Sequence, residues 1–113
     1  MSDLETQRCL PCEGNLPALT AQEVIQQLAT LPGAWQTNHE YTAIYRIFEF
    51  KNYYHTIAFV NAVAWITHHE NHHPDLEVSY NRCLVRYQTH AIQGLTRNDF
   101  ICATKIEKIF NCL

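Results

Sequence analysis

The feature that most constrains the fold is a long stretch, residues 52–72, that has helical spacing and is apolar on nearly every side. Its apolar residues form two stripes, one of Tyr54, Ile57, Ala58, Ala62, Trp65 and Ile66 and one of Phe59, Val60 and Val63. A helix that is apolar around most of its circumference must be covered around most of it. A chain of 113 residues has only a modest core, so we expect part of this helix to pack against another subunit. The alternative is a central helix that its own chain wraps.

Helix caps and breakers set the limits of the other elements. Thr20 and Glu23 form a capping box that begins a first helix, and Pro32-Gly33 ends that helix. Pro74 disfavours helical geometry at the residue before it, so the long helix is predicted to end near His72. Residue pattern and turn signals predict strands at 35–39, 42–50, 76–80 and 83–89, and a last helix at 96–111.

These elements follow the order α-β-β-α-β-β-α. The order predicts an α+β fold in which a four-stranded antiparallel sheet carries three helices layered on one face. We expect residues 20–113 to form this single domain. Residues 1–19 are expected to be a flexible leader, because Pro11, Gly14 and Pro17 interrupt any periodicity there.

Charge and cysteine content argue against several classes of protein. A net charge of -3 at pH 7, with no run of Lys and Arg, predicts no direct contact with nucleic acid. The acidic N-terminus lacks the apolar core of a secretory signal, and no window is apolar enough for a membrane span, which predicts a cytoplasmic protein with no membrane partner. Five cysteines without the spacing of a disulfide framework fit a reducing compartment.

One pair of cysteines, Cys9 and Cys12, forms a CxxC motif in the leader. Such a motif is half of a zinc site or a redox pair. No second CxxC completes a structural zinc site, and no thioredoxin-like pattern surrounds this one. We therefore expect no essential role for the motif.

Histidines are concentrated in one part of the chain, where His68, His69, His72 and His73 fall within six residues and His90 follows. Imidazole gives and takes protons near neutral pH, so a cluster of this kind favours proton transfer. One imidazole would protonate a departing oxygen while another removes a nearby proton. The predicted reaction class is elimination or addition of water, or an isomerisation.

Two other interpretations of the cluster stay open. His68 and His72 lie four residues apart and could share a zinc ion with His90 or Asp99 as a further ligand, although the HExxH signature of metalloproteases is missing. Alternatively, His72 and His73 complement the dipole at the end of the long helix and have no chemical role.

Beyond these single features, a set of motifs resembles the pterin-4a-carbinolamine dehydratases, also called 4a-hydroxytetrahydrobiopterin dehydratases. The resemblance covers residues 19–111. It is carried by His72-His73-Pro74, Tyr80, Thr89-His90, Gly94-Leu95-Thr96 and Asn98-Asp99, with Trp35, Phe48-x-Phe50-Lys51 and Phe59 upstream.

The resemblance implies elimination of water from 4a-hydroxytetrahydrobiopterin, the product of aromatic amino-acid hydroxylases such as phenylalanine hydroxylase. It implies the α+β fold, no metal, no cofactor, and assembly as a homodimer or homotetramer. Carried over by position, His72 and His90 become the acid–base pair, and His73 binds the pterin and assists catalysis. The expected substrate-binding residues are His73, His68, Thr89, Asp99 and Trp35.

Several positions are ambiguous within this resemblance. His68 stands where family members often have Glu. Leu76, two residues after His72-His73-Pro74, stands where family members often have an aromatic residue. Asp99 either caps the last helix or holds His90 or the pterin. Trp35 either stacks on the pterin ring or belongs to the core.

A non-enzymatic role is the alternative function. Some members of the family resembled act as dimerisation partners of a transcription factor, through the helix that otherwise builds their own tetramer. The long apolar helix of this chain is compatible with such an adaptor or transcriptional coactivator, and equally with self-assembly.

Overall fold

The computed structural model describes residues 7–9 and 17–112. Most of the predicted leader, including Cys12 of the CxxC motif, lies outside these residues. The described elements follow the predicted order: α1 Ala21–Thr30, β1 Gln36–Thr37, β2 Ile44–Glu49, α2 Tyr53–Glu70, β3 Asp75–Val78, β4 Arg82–Tyr87 and α3 Arg97–Cys112. The predicted capping box at the start of α1 is confirmed, with Thr20 and Glu23 exchanging side-chain-to-backbone hydrogen bonds.

The four strands form one antiparallel sheet in the order β1-β2-β4-β3. β2 and β4 are its central pair, and Ile44 lies opposite Tyr87 while Phe48 lies opposite Cys83. Because side chains alternate along a strand, this register puts all of these residues on the same face. The predicted α+β fold is confirmed.

The helices cover one face of the sheet and leave the other open. Ile44, Phe48 and Val85 are buried on the covered face, and Phe48 packs on Phe59 of α2 with ring centroids 4.7 Å apart. Ile47, one position along β2, points to the opposite face and remains 42% exposed. The core therefore lies between the sheet and the helices.

The helix α2 is buried on one side only. Phe59 and Val63 enter the core, whereas Tyr54 is 80% and Trp65 is 69% exposed on the other side. The part of the chain that the structure describes therefore does not wrap the long helix, and the alternative of an enclosed central helix is wrong for these residues. Within residues 7–9 and 17–112, no helix has the length and hydropathy needed to cross a membrane.

Candidate active site

The end of α2 positions two of the predicted catalytic residues. Asn71 adopts a left-handed conformation with φ of 54°, which ends the helix just after Glu70. The predicted end near His72 was therefore about two residues late. Because the turn at Asn71 changes the direction of the chain, His72 is buried, whereas His73 is exposed just before β3 begins.

The segment after β4 positions the third imidazole. The backbone N–H of Thr89 donates to the carbonyl oxygen of Gly94 at 2.9 Å and so closes a short loop. Within the loop, a 3₁₀ turn spans His90–Ile92, and Gln93 has a φ of 52°. The loop holds His90 at the surface, at the end of β4 that lies beside the start of β3.

These two segments enclose a pocket of about 200 Å³. The rings of His73 and His90 stack with centroids 6.2 Å apart and an interplanar angle of 27°. All three predicted catalytic residues line the pocket, whose full lining is Asn71, His72, His73, Gln88, Thr89, His90 and Ala91.

A buried carboxylate holds one imidazole of the pocket. Nε2 of His72 lies 2.7 Å from Oδ1 of Asp99, and His72 is 7% exposed while Asp99 is fully buried. A carboxylate accepts hydrogen bonds, so we assign the ring proton to Nε2 of His72. In the neutral ring this tautomer leaves the basic lone pair on Nδ1.

Tyr87 also fixes His72. The two rings stack with centroids 5.3 Å apart and an interplanar angle of 13°, and the Tyr87 hydroxyl donates to the carbonyl oxygen of His72 at 3.2 Å. Burial, followed by contact with Cys102 and the charge of Asp99, raises the pKa of Tyr87 above its ordinary value. The hydroxyl therefore stays protonated and remains a donor at neutral pH.

Asp99 serves both as a helix cap and as the partner of His72. Its Oδ2 accepts the backbone N–H of Thr96 at 2.9 Å, which confirms the predicted cap at the start of α3, and the Thr89 hydroxyl at 2.8 Å. Its described contacts are thus with His72 and the two threonines and do not include the expected contact with His90. An acceptor that receives three donors is held rigidly, and so is the imidazole attached to it.

Three of the five predicted binding residues do not line the pocket. Asp99 is fully buried behind His72, and Trp35 and His68 lie elsewhere. Trp35 is 8% exposed in the core, where its Nε1 donates to Glu107 at 2.9 Å and its ring meets Phe48 edge-on at 6.1 Å. Of the two alternatives for Trp35, stacking on a pterin or packing in the core, the structure shows packing in the core. His68 lies exposed in the last turn of α2 and is not among the residues that line the pocket.

Four residues of the site were not predicted from the sequence: Asn71, Gln88 and Ala91, which line the pocket, and Tyr87, which fixes His72. Asn71 and Gln88 directly precede the two histidine motifs, so their position in the chain was an available signal. The stacking of Tyr87 on His72 depends on the packing of α2 against β4 and had no local signal.

Other surfaces of the described chain offer less chemistry. Within residues 7–9 and 17–112, no group of three or more His, Cys, Asp or Glu side chains is arranged to hold a metal ion. A groove of about 260 Å³ lies on the open face of the sheet, lined by Ile47, Glu77, Val78, Ser79, Arg82 and Leu84. It contains no histidine, so the histidine pocket is the stronger candidate for catalysis.

Comparison with known proteins identifies relatives along most of the chain. The family model described as "Pterin 4 alpha carbinolamine dehydratase" matches residues 17–109. A Nitrosospira multiformis protein is 54% identical over 97% of this chain and 95% of its own length. A Legionella pneumophila protein is 52% identical over 96% of both chains. Both relatives carry pterin-4-alpha-carbinolamine dehydratase as a provisional name.

Solved structures show the same fold. A crystal structure from Brucella melitensis, titled as a transcriptional coactivator/pterin dehydratase, has a TM-score of 0.77 and 33% identity and covers 82% of this chain and 98% of its own. A pterin dehydratase-like protein identified as a RuBisCO assembly factor in the alpha-carboxysome has a TM-score of 0.60 at 15% identity, and covers 69% of this chain and 90% of its own. The second likeness concerns the fold alone.

Proposed function

Because the chain belongs to the pterin 4 alpha carbinolamine dehydratase family, we propose that it removes water from 4a-hydroxytetrahydrobiopterin and forms the quinonoid dihydropterin. The observation that carries this proposal is the meeting of His72, His73 and His90 in one pocket, with His72 attached to a buried carboxylate. Such a pocket supplies both a proton donor and a proton acceptor.

The reaction requires two proton transfers at neighbouring atoms of the pterin. The bond between C4a and its hydroxyl breaks as the oxygen takes a proton and leaves as water. The proton on N5 is removed, and its electron pair forms the C4a–N5 double bond. Two imidazoles, one protonated and one neutral, perform both transfers. The step itself needs no metal, redox cofactor or covalent intermediate.

The surroundings of the histidines support the roles that we propose for them. We assign the two proton transfers to His72, which Asp99 and Tyr87 fix in one orientation and tautomer, and to His90, which the loop at the end of β4 presents at the pocket. The ring of His73 stacks on that of His90 with centroids 6.2 Å apart, which supports our proposal that His73 contacts the pterin and assists. Thr89 and Asp99 support this arrangement through their hydrogen bond.

The proposed substrate is what aromatic amino-acid hydroxylases leave after each turnover. The enzyme would therefore recycle a pterin cofactor in the cytoplasm, serving a phenylalanine hydroxylase. The direct test is turnover of a 4a-hydroxytetrahydropterin by the protein and by its His72→Ala and His90→Ala variants. Dehydration by the wild type with strong losses in both variants is expected, and equal rates in all three proteins would reject the mechanism.

We also propose that the exposed side of α2 is a contact between copies of this chain in a homodimer or homotetramer. Tyr54 and Trp65 are large, apolar and 80% and 69% exposed on this side. Exposed aromatic residues of this size are enriched at interfaces because their burial is strongly favourable.

The same helix face supports a second candidate function, binding to another protein as an adaptor or coactivator. The structurally similar protein from Brucella melitensis is described as a transcriptional coactivator/pterin dehydratase. A stable oligomer with turnover favours the enzyme. A protein that lacks turnover and binds a heterologous helix through Trp65 would favour the adaptor.

A further inference from the structure

One pair of thiols lies outside the histidine pocket. Sγ of Cys9, in the N-terminal segment, is 3.5 Å from Sγ of Cys102 on α3, although the two residues are 93 positions apart in sequence. Cys102 is fully buried and Cys9 is partly buried. The first cysteine of the CxxC motif thus contacts a thiol of the core. The proposed dehydration does not use this motif.

The contact between the two sulfurs is held by a network around Glu70, the last residue of α2. The backbone N–H of Cys9 donates to Oε1 of Glu70 at 2.9 Å. Arg8 and Lys105 each approach Oε2 of the same carboxylate at 3.0 Å, and Arg8 also donates to the carbonyl oxygen of His69 at 3.2 Å. Through these bonds Arg8 and Cys9 contact the end of α2, and Glu70 is in turn paired with Lys105 of α3.

We propose that Cys9 and Cys102 are a disulfide site, oxidised by a low-molecular-weight disulfide such as oxidised glutathione. The thiolate of Cys9 attacks the small disulfide, which gives a mixed disulfide and releases one thiol. The thiolate of Cys102 then attacks Sγ of Cys9, forms the bond between the two residues and releases the second thiol. Two protein thiols are oxidised and one small disulfide is reduced to two thiols, which take up both protons.

The geometry requires only a small movement. A disulfide bond is about 2.05 Å long, so the two sulfurs must approach by roughly 1.5 Å. Cys9 is the more exposed of the two, so it is the sulfur that an external disulfide reaches first and the one that can shift. Cys102 is fixed on α3, where its Sγ lies 3.9 Å from the carbonyl oxygen of His72.

The surroundings also set the speed of the reaction. The hydrogen bond with Cys102, then burial and the nearby charges of Cys102 and Glu70, raise the pKa of Cys9 above its ordinary value. Since the thiolate is the attacking species, the raised pKa of Cys9 should slow its reaction with the oxidant at neutral pH. The rate of disulfide formation increases with pH across the alkaline range.

The bond would lock the N-terminal segment onto the helix that carries Asp99, one turn before Cys102. It would join residues 93 positions apart. A cross-link that closes so long a loop strongly reduces the conformational entropy of the unfolded chain. The oxidised protein should therefore unfold at a higher temperature, with Asp99 and His72 still in contact.

The test uses the full chain with Cys112→Ser, because Cys112 is exposed and would form bonds between molecules. The protein is equilibrated in glutathione buffers of defined ratio, free thiols are alkylated, and cross-linked peptides are identified by mass spectrometry. We expect a Cys9–Cys102 peptide and a rise in Tm of at least about 5 °C on oxidation. Adding Cys12→Ser should leave both results unchanged.

Adding Cys9→Ser to the Cys112→Ser protein should abolish the cross-link and the rise in Tm. Cys9 is only partly buried, so this variant disturbs the core less than a change at the fully buried Cys102 would. The proposal is overturned if the cross-link joins Cys9 to Cys12, if Cys9 carries only glutathione, or if oxidation leaves Tm unchanged. None of these outcomes depends on dehydratase activity.

Discussion

Asp99, in the first turn of α3, holds the imidazole of His72, two residues beyond the end of α2, with Oδ1 and Nε2 2.7 Å apart and both side chains buried. The contact joins the first turn of α3 to the segment that follows α2, so the carboxylate that caps α3 also holds an imidazole of the pocket. The carboxylate fixes which nitrogen of His72 carries the proton and which direction the ring faces. The proposed chemistry depends on this contact more than on any other.

Replacing Asp99 by Asn tests that dependence. The amide of Asn still offers an oxygen to Thr96 but can present N–H to His72, which favours the opposite imidazole tautomer. We expect kcat for dehydration to fall by about 10²-fold or more, with a smaller change in KM. Steady-state kinetics of the folded variant measure both quantities.

Thr96→Ala is the matched control for Asp99→Asn. It removes the hydroxyl that accepts from the backbone N–H of Asn98 and contacts Thr89, while the bond between Asp99 and His72 remains. This variant should lose about 1 kcal/mol of unfolding free energy and keep most of its kcat. Equal losses of kcat in the two variants would assign Asp99 a purely structural role.

The two exposed imidazoles of the pocket should respond differently to removal. His90→Ala deletes a proposed proton-transfer group and should lower kcat by about 10²–10⁴-fold, with little change in Tm because His90 is exposed. His73→Ala should raise KM more than it lowers kcat. His39→Ala, at an exposed turn, serves as the control and should match the wild type. A His90→Ala variant with normal kcat would contradict its assignment.

Glu70 makes stability depend on pH in the acid range. Burial alone would raise the pKa of Glu70, but the N–H of Cys9, then Lys105 and Arg8, lower it below its ordinary value of 4.5. A carboxyl whose pKa is lower in the folded state stabilises the protein above its unfolded pKa, and that stabilisation is lost as the pH falls through the folded pKa.

Glu70→Gln should therefore reduce the free energy of unfolding at pH 7 by about 1.5–3 kcal/mol. The difference from the wild type should shrink as the pH falls below 4.5. Glu77→Gln is the control, since Glu77 is exposed and its pair with Arg86 is 3.3 Å long, and it should change stability far less. Denaturant unfolding at a series of pH values measures both. A constant difference between Glu70→Gln and the wild type at every pH would refute the linkage.

If the exposed side of α2 is a contact between copies of the chain, a charge introduced there should disrupt the oligomer. Trp65→Glu places a carboxylate at the centre of the proposed contact, so the mass in solution should fall towards that of a monomer. Ile25→Glu changes an apolar residue of α1 that is 53% exposed and should leave the mass unchanged. Analytical ultracentrifugation distinguishes these outcomes. A wild-type protein that is already monomeric would remove this proposal.

Local signals were sufficient to predict the elements of this fold. The capping box at Thr20, the apolar stripes of the long helix and the turn between β3 and β4 each involve residues close in sequence, so the pattern records them directly. The first strand is an exception. Residues 35–39 were predicted, but only Gln36–Thr37 is paired, because the Asn38 side chain accepts the N–H groups of Thr42 and Ala43 and forms the turn.

The partners of the site residues were harder to predict, because they depend on packing between distant elements. The histidine cluster was found from composition and spacing, and the family resemblance assigned roles to His72, His73 and His90 within it. These three histidines line one pocket. The contact of Asp99 with His72 instead depends on where α3 meets the end of α2, which spacing along the chain does not specify. The core position of Trp35 was equally hard to predict, because its hydrogen-bond partner Glu107 lies 72 positions away in sequence.

The most direct test of the account is the fate of a chemically generated 4a-hydroxytetrahydropterin, followed by absorbance in the presence and absence of the protein. Catalytic amounts of the wild type should accelerate formation of the quinonoid dihydropterin. The combined His72→Ala/His90→Ala variant should not, while His39→Ala should match the wild type. A wild-type protein that leaves the spontaneous rate unchanged would contradict the proposed function.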